Sequence, residues 1–350
     1  NKFPARQRND STMKKLIAIL TLFYSLTALG QNGVKGSYFL LLNNKSTISL
    51  NTFKNSAILE HKTFDITEKS IFTTDKKSRV AILDTAQNSI VLYDFLLSKE
   101  TNLTIPYELK PKTILLFDSK LFIGGEMGKE ILIQYQIKKN QWEKLEVPEE
   151  VQMWGKAVDD LVVNDSLLIA IDNIVTPKYV LFYNLKSEAK VELVHFKELK
   201  HNGAYESIHQ GRITETYIGL LSDTYSGYVG ATNHITIYNN LDLTNSFALS
   251  SNQNDKNYHN FTDFVLTKDK VVIASKEKGL GIFEIKESYF EKTNKYSNRR
   301  SNRREDISKI KYTKYNNQVI TKLTLIPNTS KIVLTLEDKK GIFSNEIIKI

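Results

Sequence analysis

The chain has 350 residues, of which 41% are hydrophobic and 10% aromatic, so it can bury a core and is not an intrinsically disordered polymer. It contains no cysteine, which excludes disulfides, thiolate metal sites and a cysteine nucleophile. The net charge of +9 is concentrated in two places: residues 1–30 hold five bases and one acid, and residues 286–314 carry a net charge of +6. The rest of the chain is close to neutral, so basicity is not a property of the fold.

The N-terminal region predicts export. Residues 1–12 precede the first methionine and are interpreted as upstream translated or vector-derived sequence. Residues 13–30 combine two lysines, an apolar run of 14 residues and small residues before Gln31, which is the order of a secretory signal peptide. The run is shorter than the roughly 20 residues that a permanent membrane helix needs. We therefore expect the mature chain, residues 31–350, to lack a transmembrane span and to reach the periplasm or the medium. The Ala-Leu-Gly-Gln ending and the Asn- and Lys-rich composition resemble secreted proteins of AT-rich Gram-negative bacteria.

The remaining chain reads as short β-strands separated by turns. Asp159–Leu185 is the clearest stretch, with runs at Leu161–Val163, Leu167–Ile171 and Tyr179–Tyr183. Asn-Asp-Ser and Asp-Asn followed by Thr-Pro separate them, and these are turn residues. No amphipathic helix of more than two turns is predicted after Ser37.

The same strand pattern repeats along the chain. The third strand of each unit contains a short motif that begins with an aromatic or aliphatic residue, at Tyr93, Tyr135, Tyr183, Tyr238, Phe283 and, less clearly, Ile348. A second set of apolar runs precedes these, at Val80–Leu83, Leu121–Gly124, Leu167–Ala170, Val271–Ala274 and Lys331–Leu334. More polar fourth strands are predicted at Asn102–Ile105 and Lys144–Val147. A period of about 40–50 residues with about four strands is typical of a β-propeller blade.

One unit carries a family resemblance. Asp263–Ile285, with the sequence DFVLTKDKVVIASKEKGLGIFEI, resembles the blades of bacterial propeller repeats of the LVIVD and YVTN kind. In those blades a strand ending in Ala precedes a polar turn and a Gly-Leu-x-Ile/Val-x-x-Ile strand. At pattern level the likeness extends over residues 66–350 and to WD-repeat blades, although their Trp-Asp and Gly-His pairs are missing here. The resemblance implies a propeller and no particular substrate.

The predicted fold is therefore an all-β propeller formed by residues 31–350, with a basic loop insertion at about 286–314. Seven blades are expected, with six as the alternative if the hairpin Tyr38–Phe53 pairs into the last unit. The last unit, which ends at Ile350, lacks an outer strand. Because an unpaired edge is unfavourable, the Tyr38–Thr63 region is predicted to close the ring by completing the last blade.

No linear catalytic, phosphate-binding or calcium-binding motif is present. Propeller sites are assembled from scattered residues around the channel, so we place candidates where innermost strands begin. The ligand-binding candidates are Trp154, Lys156, Asp159, His209, Arg212, Tyr258, His259 and Asp263. Glu108 and Lys110 enter another innermost strand. The alternative is that all of these are ordinary solvated loop residues.

Two further loops contain candidate site residues. One loop holds His201, Glu206 and His209, which lack the close, strand-borne spacing of a rigid metal site. Asp165 and Asp172 could offer oxygens to calcium, but their positions are already explained as turn residues. No metal and no cofactor are therefore predicted. The Gly- and Tyr-rich stretch 222–233 is either an aromatic flap over a ligand or an extended hairpin.

The duplicated Ser-Asn-Arg-Arg at 297–304 supplies partner-binding candidates, which are Arg299, Arg300, Arg303 and Arg304. Export argues against nucleic acid, so an envelope protein or an anionic polysaccharide is the expected type of partner, with a plain solvated loop as the alternative.

The sequence leaves three functions open. The first is an exported ligand- or protein-binding module. The second is an enzyme acting on an extracellular carbohydrate or lactone, with His209, His259, Asp263 and Arg212 in acid, base and charge-stabilising roles. The third is a structural component of an envelope complex.

Overall fold

Seven antiparallel sheets follow one another along the chain and form a ring. The structure is a computed structural model that describes residues 38–126, 130–152, 157–164, 167–172, 179–185, 190–199, 206–226, 230–239, 243, 245–252, 259–290, 303–305, 307–315 and 317–350. The predicted signal peptide lies outside these residues. The first strand of each sheet is innermost, and the next two strands follow it in meander order. We number the sheets as blades 1–7.

The first four blades take up the chain from Phe39 to Glu198. Blade 1 has three strands, β1 (Phe39–Asn44), β2 (Thr47–Lys54) and β3 (Ala57–Asp65). Blade 2 is formed by β4 (Ser70–Thr74), β5 (Arg79–Asp84), β6 (Ser89–Asp94) and β7 (Lys99–Thr104). Blade 3 is formed by β8 (Lys110–Phe117), β9 (Lys120–Glu126), β10 (Leu132–Gln136) and β11 (Gln141–Lys144). A short helix, α1 (Glu149–Gln152), leads to blade 4, with β12 (Val158–Val163), β13 (Leu167–Asp172), β14 (Tyr179–Asn184) and β15 (Glu192–Glu198).

The outermost strands of blades 5 and 6 do not follow the order of the chain. Blade 5 contains β16 (Glu206–Ile213), β17 (Tyr217–Ser226), β18 (Gly230–Asn239) and β19 (Ser246–Asn252), and blade 6 contains β20 (Phe261–Leu266), β21 (Lys270–Ser275) and β22 (Gly279–Glu284). Two 3₁₀ turns, Glu287–Tyr289 and Ile307–Lys309, flank β23 (Arg303–Glu305), which adds a fifth, parallel strand to blade 5. β24 (Lys311–Thr313) is the fourth strand of blade 6. Blade 7 has three strands, β25 (Gln318–Leu325), β26 (Lys331–Asp338) and β27 (Phe343–Lys349).

The core is divided into seven apolar clusters, one in each gap between neighbouring blades. This follows from strand alternation, because successive side chains point to opposite faces and each face of a blade meets a different neighbour. The middle strands are therefore apolar on both faces, as the sequence pattern predicted. Crowding in these gaps explains the small residue that ends several middle strands. At Gly124, for example, a Cβ atom would collide with Val158 of the next blade.

The prediction of an all-β, seven-bladed propeller is confirmed, and the second and third strands lie where the repeat placed them. Asn and Asp supply most of the non-glycine left-handed turn positions, for example Asn88 and Asp118. One fourth strand differs in extent: the run predicted at Lys144–Val147 is β11, which ends at Lys144.

The ring closes at the N-terminal strands, but not by strand addition. β1, β2 and β3 form their own sheet and do not pair with blade 7, so the expectation that Tyr38–Thr63 completes the last blade is wrong in that detail. Closure comes from packing instead. Phe39 and Leu41 of blade 1 bury themselves against Ile326 and Val333 of blade 7. The physical reason is that β1 has apolar side chains on both faces and is better buried as an innermost strand than as an outer edge.

Candidate functional site

Five consecutive innermost strands carry a β-bulge at the same point. In blades 3 to 7 the ladder between the first and second strands skips one residue of the first strand. The skipped residues are Lys112, Asp159, His209, Thr262 and Thr321. The paired part of β4 in blade 2 has no register shift, and the shift in β1 of blade 1 lies at its far end, between Leu42 and Asn44. A feature repeated at one level of five blades is a designed part of the scaffold.

The bulges turn these five side chains towards the channel, which we define as the space enclosed by the seven innermost strands. In a regular strand, side chains alternate between the two neighbouring blades and none is directed at the channel. A bulge breaks the alternation and re-aims one side chain. Each bulged residue is at least partly accessible, while the residue before it, such as Ile208 before His209, is buried. Two of them, Lys112 of blade 3 and Asp159 of blade 4, form an ion pair across adjacent blades.

In blade 3, Lys112 lies at the centre of an ionic group. Its Nζ atom is 2.7 Å from Asp159 Oδ1 of blade 4 and 2.8 Å from Glu126 Oε2 of β9. Lys110 Nζ donates to the other oxygen of Glu126 at 2.8 Å. Burial alone would lower the pKa of Lys112, but the hydrogen bonds to Asp159 and Glu126 raise it above its ordinary value. Hydrogen bonds from Lys110 and Lys112 lower the pKa of Glu126. Lys112 and Glu126 are therefore charged at neutral pH.

His209 continues this arrangement into blade 5. Its Nε2 atom and Asp223 Oδ2 of β17 are 2.7 Å apart and share a hydrogen bond. That bond raises the pKa of His209 against the opposing effect of burial, and the negative charges of Asp223 and Asp159 raise it further. Burial would raise the pKa of Asp223, but the bonds from His209 and Asn233 hold it below its ordinary value. Asn233 fixes the carboxylate by donating to its other oxygen.

Together these residues form the charged arc, which we define as Lys110, Lys112, Glu126, Asp159, His209 and Asp223. Positive and negative groups alternate along it, and it spans blades 3 to 5 only. Thr262 and Thr321, the bulged residues of blades 6 and 7, bond to backbone carbonyls of Ile320 and Thr335 at 3.0 and 3.1 Å. Among the described residues, the bulged positions are therefore charged in blades 3 to 5 and uncharged in blades 6 and 7, although the scaffold is repetitive.

The residue after the bulge joins blades together. In blade 4, Asp160 Oδ1 accepts from the next backbone N–H at 2.8 Å, and Oδ2 accepts from Gly211 N of blade 5. In blade 6, Asp263 repeats this with its next N–H at 2.7 Å and with Leu323 N of blade 7 at 2.8 Å. Burial raises the pKa of Asp160, against the effect of its hydrogen bonds. Gly211 permits the approach, because a Cβ there would lie 3.2 Å from Asp160 Oδ2 and 2.8 Å from Ile171 Cδ1.

Arg212 of blade 5 and Asp263 of blade 6 form an ion pair that links the two blades. The guanidinium donates to Asp263 Oδ1 at 3.1 Å and to the Phe264 carbonyl at 3.2 Å. Asp263 is buried, and its two oxygens already accept three hydrogen bonds. These contacts tie blade 5 to blades 6 and 7.

His259 lies in a different environment from His209. It is 5% exposed, its backbone N–H donates to Ser251 Oγ of β19, and its Nδ1 atom is 2.9 Å from the Tyr312 hydroxyl of β24. Both partners belong to outer strands. Burial, together with the charge of Lys278, lowers the pKa of His259 to about 4, so it is neutral at pH 7. None of the described contacts of His259 is shared with His209.

The other candidates are distributed as follows. Trp154, Lys156, Tyr258, Arg299 and Arg300 lie outside the described residues. Arg303 and Arg304 belong to β23, so this part of the predicted basic loop is a strand on the outer edge of blade 5. Within the described residues, β17 and β18 pair as far as Ser226 and Gly230, which favours the extended-hairpin interpretation, with Tyr225 70% exposed near its tip.

Within the described part of the chain, no three histidine, aspartate or glutamate side chains are grouped so that they would hold a metal ion. The few helices there are short, and none has the length and hydrophobicity of a membrane span.

Sequence reasoning identified Asp159 and His209 but missed Lys112, Glu126 and Asp223. Lys112 carries no linear signal, because a bulge cannot be read from apolar alternation. Glu126 and Asp223 are the last residue of β9 and a residue near the end of β17, so only the pairing of those strands with β8 and β16 brings them to the mouth.

Comparisons with known proteins bear on the fold. No family model matches the chain, and no curated protein matches it. The β-propeller domain of Cps50 (Swd1) from Myceliophteria thermophila is similar, with a TM-score of 0.57 and 10% identity over 90% of this chain and 94% of that chain. The computationally designed Ika8 protein has a TM-score of 0.50 and 11% identity over 90% of this chain and 88% of that chain. At these identities the likeness concerns the fold alone, and the chain is a seven-bladed β-propeller of WD40-like fold.

Proposed function

We propose that this chain is an exported binding module that takes a hydroxyl-rich ligand, of the carbohydrate class, at the channel mouth over the charged arc. One observation carries the proposal: a bulge at one level of five blades presents side chains to the channel, and three consecutive blades use it for charged groups. These groups are held by partners and remain partly accessible, which is the preorganisation that binding sites require.

The balance of charge favours a neutral ligand. The three basic groups of the charged arc, Lys110, Lys112 and His209, each lie within 3 Å of a carboxylate, so none of them lacks an acidic partner. Sugar hydroxyls both donate and accept hydrogen bonds, and they can bridge carboxylate oxygens and ammonium or imidazolium groups without changing that balance. A strongly anionic ligand would have to displace Glu126 or Asp159 from Lys112.

Export is the second part of the proposal, and it is supported by the order of lysines, apolar run and small residues over 13–30. It is tested by expressing the full chain in a Gram-negative host, fractionating the cells and sequencing the N-terminus of the product. We expect a mature start at Gln31 outside the cytoplasm. An uncleaved cytoplasmic product would contradict it.

The binding proposal is tested by a thermal-shift screen of the purified protein against neutral and acidic oligosaccharides, since a ligand that binds only the folded state raises its melting temperature. A neutral oligosaccharide is expected to raise it, and Lys112→Met to remove the effect. A shift only with acidic polymers would overturn the ligand class. No shift with any sugar would favour a protein partner in an envelope complex.

The His209–Asp223 pair favours a second candidate, an enzyme acting on a carbohydrate or lactone. An accessible histidine bonded to a carboxylate is a competent proton donor or acceptor. The proposed partnership of His209 with His259 is not needed for this. Turnover of a bound sugar or lactone that is lost in His209→Gln, with binding retained, would favour this candidate.

A further inference from the structure

The residue after the bulge in blade 7 is Lys322, where blades 4 and 6 have Asp160 and Asp263. Because strands rise about 3.3 Å per residue, this level lies one step deeper in the channel than the charged arc. Lys322 cannot accept a hydrogen bond from the next blade as those aspartates do. In blade 7, next to the closure of the ring, a cation therefore occupies the position at which blades 4 and 6 have an aspartate that accepts from the next blade.

The Lys322 side chain reaches past blade 1. Its Nζ atom lies 4.5 Å from the ring centre of Phe72, which is in β4 of blade 2. Among the described residues the ammonium makes this cation–π contact but no hydrogen bond and no ion pair. Asp263 acts on it only at longer range, and both oxygens of that carboxylate already accept from Arg212, Phe264 N or Leu323 N.

The surroundings disfavour a protonated amine. Enclosure by protein lowers the pKa of Lys322, and the positive charge of Arg212 adds to this effect against the attraction of Asp263. A cation removed from water without an acceptor is costly, and a cation–π contact offsets only part of that cost. The residue still keeps some accessible surface. An anion beside Nζ would supply the missing acceptor.

We propose that Lys322, backed by Phe72, is a binding site for an oxyanionic group, a carboxylate or phosphate, that enters the channel. The oxyanion accepts hydrogen bonds from the ammonium's free N–H donors. This site goes beyond the charged arc and does not depend on it, since the charges of the arc are paired among themselves and Lys322 is not.

The chain offers a matched control. Lys62 on β3 also makes a cation–π contact, with Nζ 3.6 Å from the ring centre of Tyr93, and it is also partly accessible, but it belongs to the outer strand of blade 1. Lys62→Met therefore removes a comparable contact away from the channel.

The test measures binding of inorganic phosphate and of acetate to the purified protein by calorimetry, with sodium chloride matching the ionic strength. At least one of the two anions should bind, and Lys322→Met should weaken it about tenfold or more, the usual effect of losing a hydrogen bond to a charged group. Lys62→Met should bind as the wild type does. Equal binding by Lys322→Met, or no binding of either anion by the wild type, would overturn the site.

A second measurement uses the wild type alone, in case Lys322→Met does not fold. Reductive methylation at neutral pH, followed by peptide mass spectrometry, reports the reactivity of each lysine. The bound anion should slow methylation of Lys322 severalfold and leave that of Lys62 unchanged. Equal rates at Lys322 with and without phosphate and acetate would refute the proposal.

Discussion

Asp263 gives the sharpest test of how the ring is held together. Asp263→Ala would remove a carboxylate that is 5% exposed and that accepts from Arg212 at 3.1 Å, Phe264 N at 2.7 Å and Leu323 N at 2.8 Å. The variant leaves a guanidinium and two buried N–H groups without their acceptor. Breaking such a buried pair by removing one partner costs about 3–5 kcal/mol.

The expected shift in melting temperature follows from the size of the domain. At roughly 2.1 cal/mol/K per residue, a propeller of about 320 residues unfolds with an entropy of about 0.7 kcal/mol/K. A loss of about 3–5 kcal/mol therefore lowers the melting temperature by about 4–7 °C. Differential scanning calorimetry at pH 7 measures this shift.

Asp269→Ala is the matched control, since Asp269 is an exposed turn residue of the same blade that accepts one bond, from Thr267 Oγ1 at 3.0 Å. Its expected effect is about 0.5 kcal/mol, or under about 1 °C. If Asp263→Ala melts within about 1 °C of the wild type, or no lower than Asp269→Ala, then Asp263 does not hold blades 5, 6 and 7 together.

Three further predictions concern ring closure and pH. Leu41→Ala, in the smallest inter-blade cluster, should lower the free energy of unfolding by about 2–4 kcal/mol, measured with denaturant. Leu59→Ala, at an exposed position, should lower it by under about 0.5 kcal/mol. Equal losses would argue against closure of the ring between blades 7 and 1. The pKa of His209 is raised, so its contribution to stability is full below about pH 6.5 and is lost as pH rises through the folded-state pKa. His209→Gln should therefore flatten the stability profile above pH 6.5, and an unchanged profile would contradict this. The pKa of His259 is lowered to about 4, so the wild type should lose stability as pH falls from about 6.5 towards 4. His259→Gln should lose less stability over this range, and an equal loss in both proteins would contradict the lowered pKa.

The blade repeat was predictable from sequence because it rests on strand alternation and turn chemistry, which are local. Val271–Ala274 is apolar on both faces since it packs between two blades, and that pattern is visible without any neighbour. Blade 1 was harder to place. Whether β1 leads its own sheet or completes another depends on which apolar faces it buries, and the sequence of β1 alone does not determine its partner.

The candidate site was only partly predictable. Asp159 and His209 were found because they lie at or near the start of innermost strands. Lys112 was missed because its exposure depends on a one-residue shift between β8 and β9, which side-chain alternation does not encode. Their polarity predicted that Arg212 and Asp263 line the channel mouth. Instead, Asp263 is buried, and both residues bond to backbone groups of neighbouring blades.

The basic segment illustrates a third limit. Its composition predicted a solvated insertion, yet its described parts supply β23 to blade 5 and β24 to blade 6. Three-residue strands such as Lys311–Thr313 are too short for periodicity to detect. They form because the outer edges of those blades offer unpaired backbone groups.

We propose that ligand binding uses the charged arc and not the uncharged bulged residues of blades 6 and 7. The most direct measurement is a calorimetric titration of one neutral oligosaccharide, chosen by the thermal-shift screen, into the wild type, His209→Gln and Thr321→Val. Both variants change one bulged residue at the same level, and Thr321 bonds only to the Thr335 carbonyl among the described residues. We predict an affinity about tenfold weaker for His209→Gln and unchanged for Thr321→Val. Equal affinity in all three proteins, or a loss confined to Thr321→Val, would contradict the claim.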